Sequence, residues 1–222
     1  MPTILIIGAS RGIGLELARQ YAAEGGRVIA TVRDEAGRAR LQALGAEVLT
    51  VDVAQPASVS GLAWQLDGEQ IDLALYVAGV MRRPDARTPP TQQDFDAVMH
   101  TNVLGAMQAI PQVAPLVAEA GGVFAFISSS MSQIGSVPGS DAWLYRTSKA
   151  ALNMAVAAAQ HSYPGATLVT IDPGWVQTDM GGGGAPLTVE ASVRGLRSTL
   201  ASVTAADKGR LLHHDGRRAA HW

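Results

Sequence analysis

The sequence predicts an α/β protein built on a doubly wound parallel β-sheet with helices on both faces, a single domain over residues 1–222. Three observations carry that expectation. Six short runs are continuously apolar, as strands covered on both faces must be. Segments of helical period separate them, and the first run ends in glycines that lead straight into a helix. Such alternation implies βαβ units whose right-handed crossovers place helices on both sides of the sheet.

"TILIIG" supplies the first strand and residues 12–24 the first helix. "RVIATV", a helix over 35–44 and "AEVLTVD" follow, then a helix over 56–66, whose Pro56 suits a first turn that needs no N–H there. "IDLALYVAG" is the fourth strand. The stretch after it, "MRRPDARTPP", reads as a solvated loop, and its arginines are kept apart from any site. Thr91 ahead of "QQD" caps a helix over 92–119, which Pro111 and Pro115 are expected to end or bend. "GGVFAFISS", a helix over 142–161 and "ATLVTIDPG" complete the alternation. "GGGG" at 181–184 marks a mobile loop over about residues 175–190.

Composition excludes several functions. With 47% hydrophobic and 16% charged residues the chain can bury a core, and a formal charge of −2 offers no general attraction for nucleic acid or an anionic membrane. The absence of cysteine removes disulfides and thiolate nucleophiles and fits a cytoplasmic location. "MPTILIIGAS" lacks the basic region of a signal peptide, and no run reaches the roughly 20 apolar residues of a membrane helix. His100, His161, His213, His214 and His221 show no metal-ligand spacing, so no metal is expected; "HH" at 213–214 reads as surface or sheet edge. No G-x-S-x-G marks a serine hydrolase.

The first strand runs into "GASRGIG". Gly8, Gly12 and Gly14 there would allow a tight turn and close backbone approach, with free amides at the helix start facing a pyrophosphate. A glycine-rich turn without a ligand is the alternative. Farther on, Tyr145 and Lys149 in "YRTSK" are four apart, which puts both on one helix face, about 6 Å apart along the axis. Upstream of them lie four serines, in "ISSSMS".

G-x-x-x-G-x-G at the N-terminus, together with the Tyr145–Lys149 pair, resembles the short-chain dehydrogenase/reductase family, and the resemblance covers nearly the whole chain. "VDV" at 51–53, "AG" at 78–79, "TNVLGA" at 101–106, "ISS" at 127–129 and "DPGWVQTDM" at 172–180 match in order and spacing. The short tail is similar to the compact C-factor-like branch. The resemblance implies a Rossmann-like fold and hydride transfer between a nicotinamide and a small carbonyl or alcohol substrate. It places Ser10, Ile13, Pro173, Gly174 and Val176 along the cofactor. Asp52 and Val53 would border the adenine, Ala78 and Gly79 the nearer ribose, and Thr178 the carboxamide. Tyr145 would supply the proton and Lys149 a charge favouring the phenolate while also holding the ribose. Asn102 would help relay protons through water. The usual asparagine before "AG" is Val77 here.

An acidic residue normally ends the second strand of NAD-binding folds, where it takes the ribose hydroxyls. That place is Val32, followed by Arg33, and Arg11 lies in the glycine turn. Two guanidiniums could grip a 2′-phosphate, so NADP(H) is expected over NAD(H), with Asp34 the one competing carboxylate. For the serine that hydrogen-bonds the substrate oxygen, two rules disagree. Setting "GGVFAFISS" against the family's fifth strand gives Ser129, while the family's usual spacing back from Tyr145 gives Ser132. Strand register is followed, since a loop lengthens at a cost of only about 0.6 kcal/mol per doubling. Ser128 should then face away, leaving Ser130 or Ser132 for the substrate pocket. Trp175 and Met180 with the glycine run would form an apolar lid. The resemblance implies a homodimer or homotetramer, and the alanine-rich face of the Tyr145 helix would suit a close helix-to-helix dimer contact. A signalling protein that keeps the cofactor fold for interaction is the rival reading.

Overall fold

The computed structural model of the protein describes residues 1–220, and His221 lies outside the described residues. Its strands are β1 (Thr3–Ile7), β2 (Arg27–Val32), β3 (Glu47–Thr50), β4 (Leu73–Tyr76), β5 (Val123–Ile127), β6 (Thr167–Asp172) and β7 (Leu211–His213). All pair in parallel, in the order β3-β2-β1-β4-β5-β6-β7. Alternate side chains serve opposite faces, both covered along β1, β4 and β5, which is why those strands read as apolar runs; edge strand β3 is exposed at Glu47 and Thr50. Leu5 and Ile7 join one core with Tyr76, Phe124 and Phe126, whereas Ile4 and Ile6 join the other with Leu75 and Val169.

Helices α1 (Gly12–Ala23), α2 (Glu35–Gln42) and α8 (Val189–Ala201) contribute to the second core, and α3 (Pro56–Ser60), α4 (Leu62–Gln65), α6 (Gly105–Glu119) and α7 (Trp143–Gln160) to the first. Between β4 and α6 lies α5 (Gln92–Met99), started by Thr91, whose side chain accepts from the Asp94 N–H.

Several elements depart from expectation. Seven strands replace the six expected, because β7 is only three residues long. Helix α8 carries no expectation at all, and Gly61 divides the 56–66 helix in two. The 92–119 helix widens into a π-helical segment over His100–Leu104 before continuing as α6. Pro111 and Pro115 do not end α6. Both lie on its exposed side, so the carbonyls they leave unbonded, those of Met107 and Pro111, face water.

Candidate active site

The chain passes from β1 outward to β2 and β3 and then returns to β4 on the other side of β1, so a crevice opens at the carboxyl ends of β1 and β4. A cavity of about 770 Å³ occupies it, within the range of cofactor-sized pockets. The glycine turn forms one wall. Gly8 has φ +93°, and a Cβ on it would come within 2.7 Å of the Ala78 nitrogen. A Cβ on Gly14 would come within 2.3 Å of the Gly8 carbonyl oxygen, so glycine there lets α1 start directly against the turn. No side chain caps α1, whose first residues Gly12 and Ile13 line the cavity with their amides available to an anion.

Of the residues expected along a cofactor, Gly8, Ser10, Arg11, Gly12, Ile13, Arg33, Val53, Ala78, Gly79, Tyr145, Lys149, Pro173, Gly174, Val176 and Thr178 line this cavity. Two do not. Gly14 acts behind the turn, through packing, and Asp52 turns aside to cap, its Oδ1 accepting from the Ala54 N–H at 3.0 Å. Val51 lines the wall that Asp52 leaves. Asp34 also caps, accepting from the Gly37 N–H at 2.7 Å at the start of α2. Neither acid neutralises Arg33. Arg11 pairs with the 175–190 loop, its Nη1 2.8 Å from Asp179 Oδ2.

Beyond β5, Ser129 caps a short 3₁₀ turn over Ser130–Ser132, with its hydroxyl accepting from the Met131 N–H and hydrogen-bonded to Tyr145. The other serines differ. Ser128 Oγ donates to Asn153 Oδ1 at 2.6 Å, away from Ser129. Ser132 is buried outside the cavity lining, donating to the Ser129 carbonyl at 2.6 Å and accepting from Asn153 Nδ2 at 2.8 Å. Asn153 therefore holds the turn from behind. Sequence reasoning missed it, although it lies four residues past Lys149, a polar side chain in an otherwise alanine-rich helix.

Tyr145 and Lys149 share the inner face of α7, with Nζ 5.7 Å from the phenol ring centroid. Nζ donates to the Ile127 carbonyl at 2.7 Å. Burial pushes Tyr145 up to about 12, against the Ser129 hydrogen bond that lowers it, and the Asp172 carboxylate adds to the rise. Burial lowers Lys149 to about 8. Desolvation is thus the largest influence on both groups, and it favours the uncharged form of each.

Asn102 sits in the π-helical segment, outside the cavity lining. Its Oδ1 accepts from the Val80 N–H at 2.8 Å, and its Nδ2 donates to the Val80 carbonyl and to Ser148 Oγ, both at 2.9 Å. Its side chain thus ties the loop after β4 to Ser148 of α7. The 175–190 loop is laced by its own bonds: Gln177 N–H to the Leu187 carbonyl at 2.8 Å, and Gly181 N–H to Thr178 Oγ1 at 3.0 Å. Trp175 and Met180 both line the cavity, Trp175 at its rim with 60% of its surface exposed. Arg83, in the loop expected to be solvated, also lines the cavity and donates to the Met180 carbonyl at 2.6 Å. Among the described residues, no cluster of three or more metal-ligating side chains occurs, and no helix is long and apolar enough to cross a membrane. His213 lies on edge strand β7, its Nδ1 3.1 Å from Asp172 Oδ2.

Comparison with known proteins agrees with this geometry. Residues 2–184 match the family described as short chain dehydrogenase. A 1-hydroxy-2-glutathionyl-2-methyl-3-butene dehydrogenase of Rhodococcus sp. (strain AD45) is 32% identical over 228 residues, covering 97% of this chain and 98% of that protein. The C-signal protein of Myxococcus xanthus is 38% identical over 94 residues, 41% of this chain and 57% of its own. A crystal structure of a short-chain dehydrogenase/reductase from Burkholderia multivorans with bound NADP superposes with a TM-score of 0.88 at 33% identity, covering 100% of this chain and 99% of that one. Fold and matches together make this an NAD(P)-dependent oxidoreductase. More narrowly, the chain belongs to the short-chain dehydrogenase/reductase family.

Proposed function

We propose that the protein is an NADP(H)-dependent reductase or dehydrogenase of a small carbonyl/alcohol pair. The observation that carries the reading is the placement of Ser129, Tyr145 and Lys149 in one cavity continuous with the glycine turn. A dinucleotide fits the donors present: uncapped amides at the start of α1 for the pyrophosphate, and Arg33, with no acid partner among the described residues, for a 2′-phosphate. When bound, it supplies or accepts the hydride. The Ser129 hydroxyl orients the substrate oxygen, and Tyr145 Oη delivers a proton as negative charge develops there. Lys149 keeps a positive charge beside the phenol, and Asn102 holds the Val80 loop in place. Val53, Ala78, Gly79, Pro173, Gly174, Val176 and Thr178 shape the cofactor walls.

Residues 175–190 serve as the mobile substrate loop. A homodimer or homotetramer is consistent with the outer surfaces of α6 and α7, where Met107 and Met154 are exposed; the enzyme is placed in the cytoplasm. Similarity to the C-signal protein favours one rival, a signalling protein that binds the dinucleotide without turning over substrate. A carbonyl panel assayed with NADPH and NADH separates the two. Turnover favouring NADPH supports the enzyme; binding of NADPH with no turnover of any substrate supports the rival, and preference for NADH overturns the cofactor assignment.

A further inference from the structure

What the carbonyl compound carries besides its carbonyl is addressed by Arg83, and the inference rests on the reductase reading. We propose that Arg83 binds a carboxylate on the substrate, so that the preferred substrates are oxo or hydroxy acids rather than neutral carbonyl compounds.

Besides Tyr145, seven ionisable side chains line the cavity: Arg11, Arg33, Arg83, Lys149, Asp141, Asp172 and Asp179. Each acid is already engaged. Asp141 pairs with Arg146 at 2.8 Å, Asp179 with Arg11 at 2.8 Å, and Asp172 contacts His213 and accepts from the Gly174 N–H. Among the described residues, the lining arginines left without an acid partner are Arg33 and Arg83. The other arginines of the Arg83 loop are neutralised, Arg82 by Asp94 and Arg87 by Asp85.

The two free guanidiniums serve different ends of the cavity. Arg33 follows β2, whereas the Arg83 carbonyl accepts from the Ala142 N–H, three residues before Tyr145. Tyr145 bonds Ser129 beyond β5, and β2 and β5 are three strand spacings apart, about 14 Å. Arg83 thus belongs to the substrate end. Its Nη2 is fixed on the Met180 carbonyl, while Nε and Nη1 have no acceptor among the described residues. A guanidinium held by one edge, with donors still open in a planar fork, matches a carboxylate. Asp141 is paired with Arg146, and the remaining carboxylate near Tyr145, Asp172, is engaged by His213 and the Gly174 N–H.

The test compares a short oxo acid with its methyl ester, both assayed by NADPH oxidation in the wild type, Arg83→Met and Arg83→Lys. The measured quantity is the acid-to-ester ratio of kcat/KM, in which any general loss of activity cancels. The wild type is expected to favour the acid at least tenfold, mainly through KM. Arg83→Met should bring the ratio to about one, with Arg83→Lys in between. Turnover of the ester with no acid preference in the wild type, or an unchanged ratio in Arg83→Met, overturns the inference and leaves the reductase standing. No turnover of either compound or of the wider carbonyl panel overturns both.

Discussion

Replacing Lys149 by methionine should abolish turnover without lowering thermal stability. The lysine is 3% exposed, and burial holds it near 8 against an ordinary 10.5. At about 1.36 kcal/mol per unit, keeping it charged inside the fold costs about 3 kcal/mol at pH 7. Methionine removes that cost with a side chain of similar length. It also removes the bond to the Ile127 carbonyl, a loss of about 1–3 kcal/mol. The balance lies between about zero and 2 kcal/mol of stabilisation, or a Tm equal to the wild type to about 6 °C above it. The penalty is complete below pH 8, where lysine is charged in both the folded and unfolded states. It fades as pH rises from about 8 to 10.5, where the unfolded chain still binds the proton and the folded one does not. Thermal unfolding of both proteins at pH 7, 8, 9 and 10 should therefore show the wild type gaining on the variant across that window. A variant melting more than about 5 °C below the wild type at pH 7, or a difference that stays flat to pH 10, would refute the reasoning.

Ser129→Ala and Tyr145→Phe should each lower kcat by about 10²–10⁴ while fluorescence titration still shows NADPH binding; retained turnover in Ser129→Ala removes that serine from the mechanism. Ser132→Ala leaves Asn153 Nδ2 and the Ser129 carbonyl each short of a partner, so calorimetry should show a loss of about 1–3 kcal/mol while most turnover survives. Arg33→Ser should raise the Kd for NADPH about 10–100-fold and leave NADH nearly unchanged, from the loss of a charge-assisted bond to the 2′-phosphate; equal effects on both cofactors contradict that contact. In Gly14→Ala the new methyl would lie 2.3 Å from the Gly8 oxygen, so α1 must shift, with a loss of at least about 1–3 kcal/mol and weakened binding of either cofactor.

The strands that build the cleft are legible because both of their faces are buried: Ile4 and Ile6 pack one way, Leu5 and Ile7 the other, and no polar residue interrupts the run. Strand β7 is not, since three residues carry no periodicity and its sheet position comes from pairing with β6. The π-helical segment is hidden because its apolar residues continue the helical pattern on either side. In the cavity, glycines that must tolerate positive φ and a tyrosine–lysine pair at helical spacing are local signals. Asn153 and Arg83 act on partners far along the chain, Ser132 21 residues back and Met180 97 residues on, and no window of sequence contains both ends of such a contact.

The place of β1 between β2 and β4 also bears on how the chain is made. Its pairing with β2 can form once residue 32 has emerged, but its other edge has no partner until Leu73–Tyr76 exist. At about 5–20 residues per second, the 65 residues between the end of β1 and the start of β4 take roughly 3–13 s to synthesise. During that interval a buried-to-be strand of isoleucine and leucine presents an open edge, the kind that pairs with other chains. Crowding on the ribosome, rather than the finished enzyme, is where this strand order exposes the protein to aggregation.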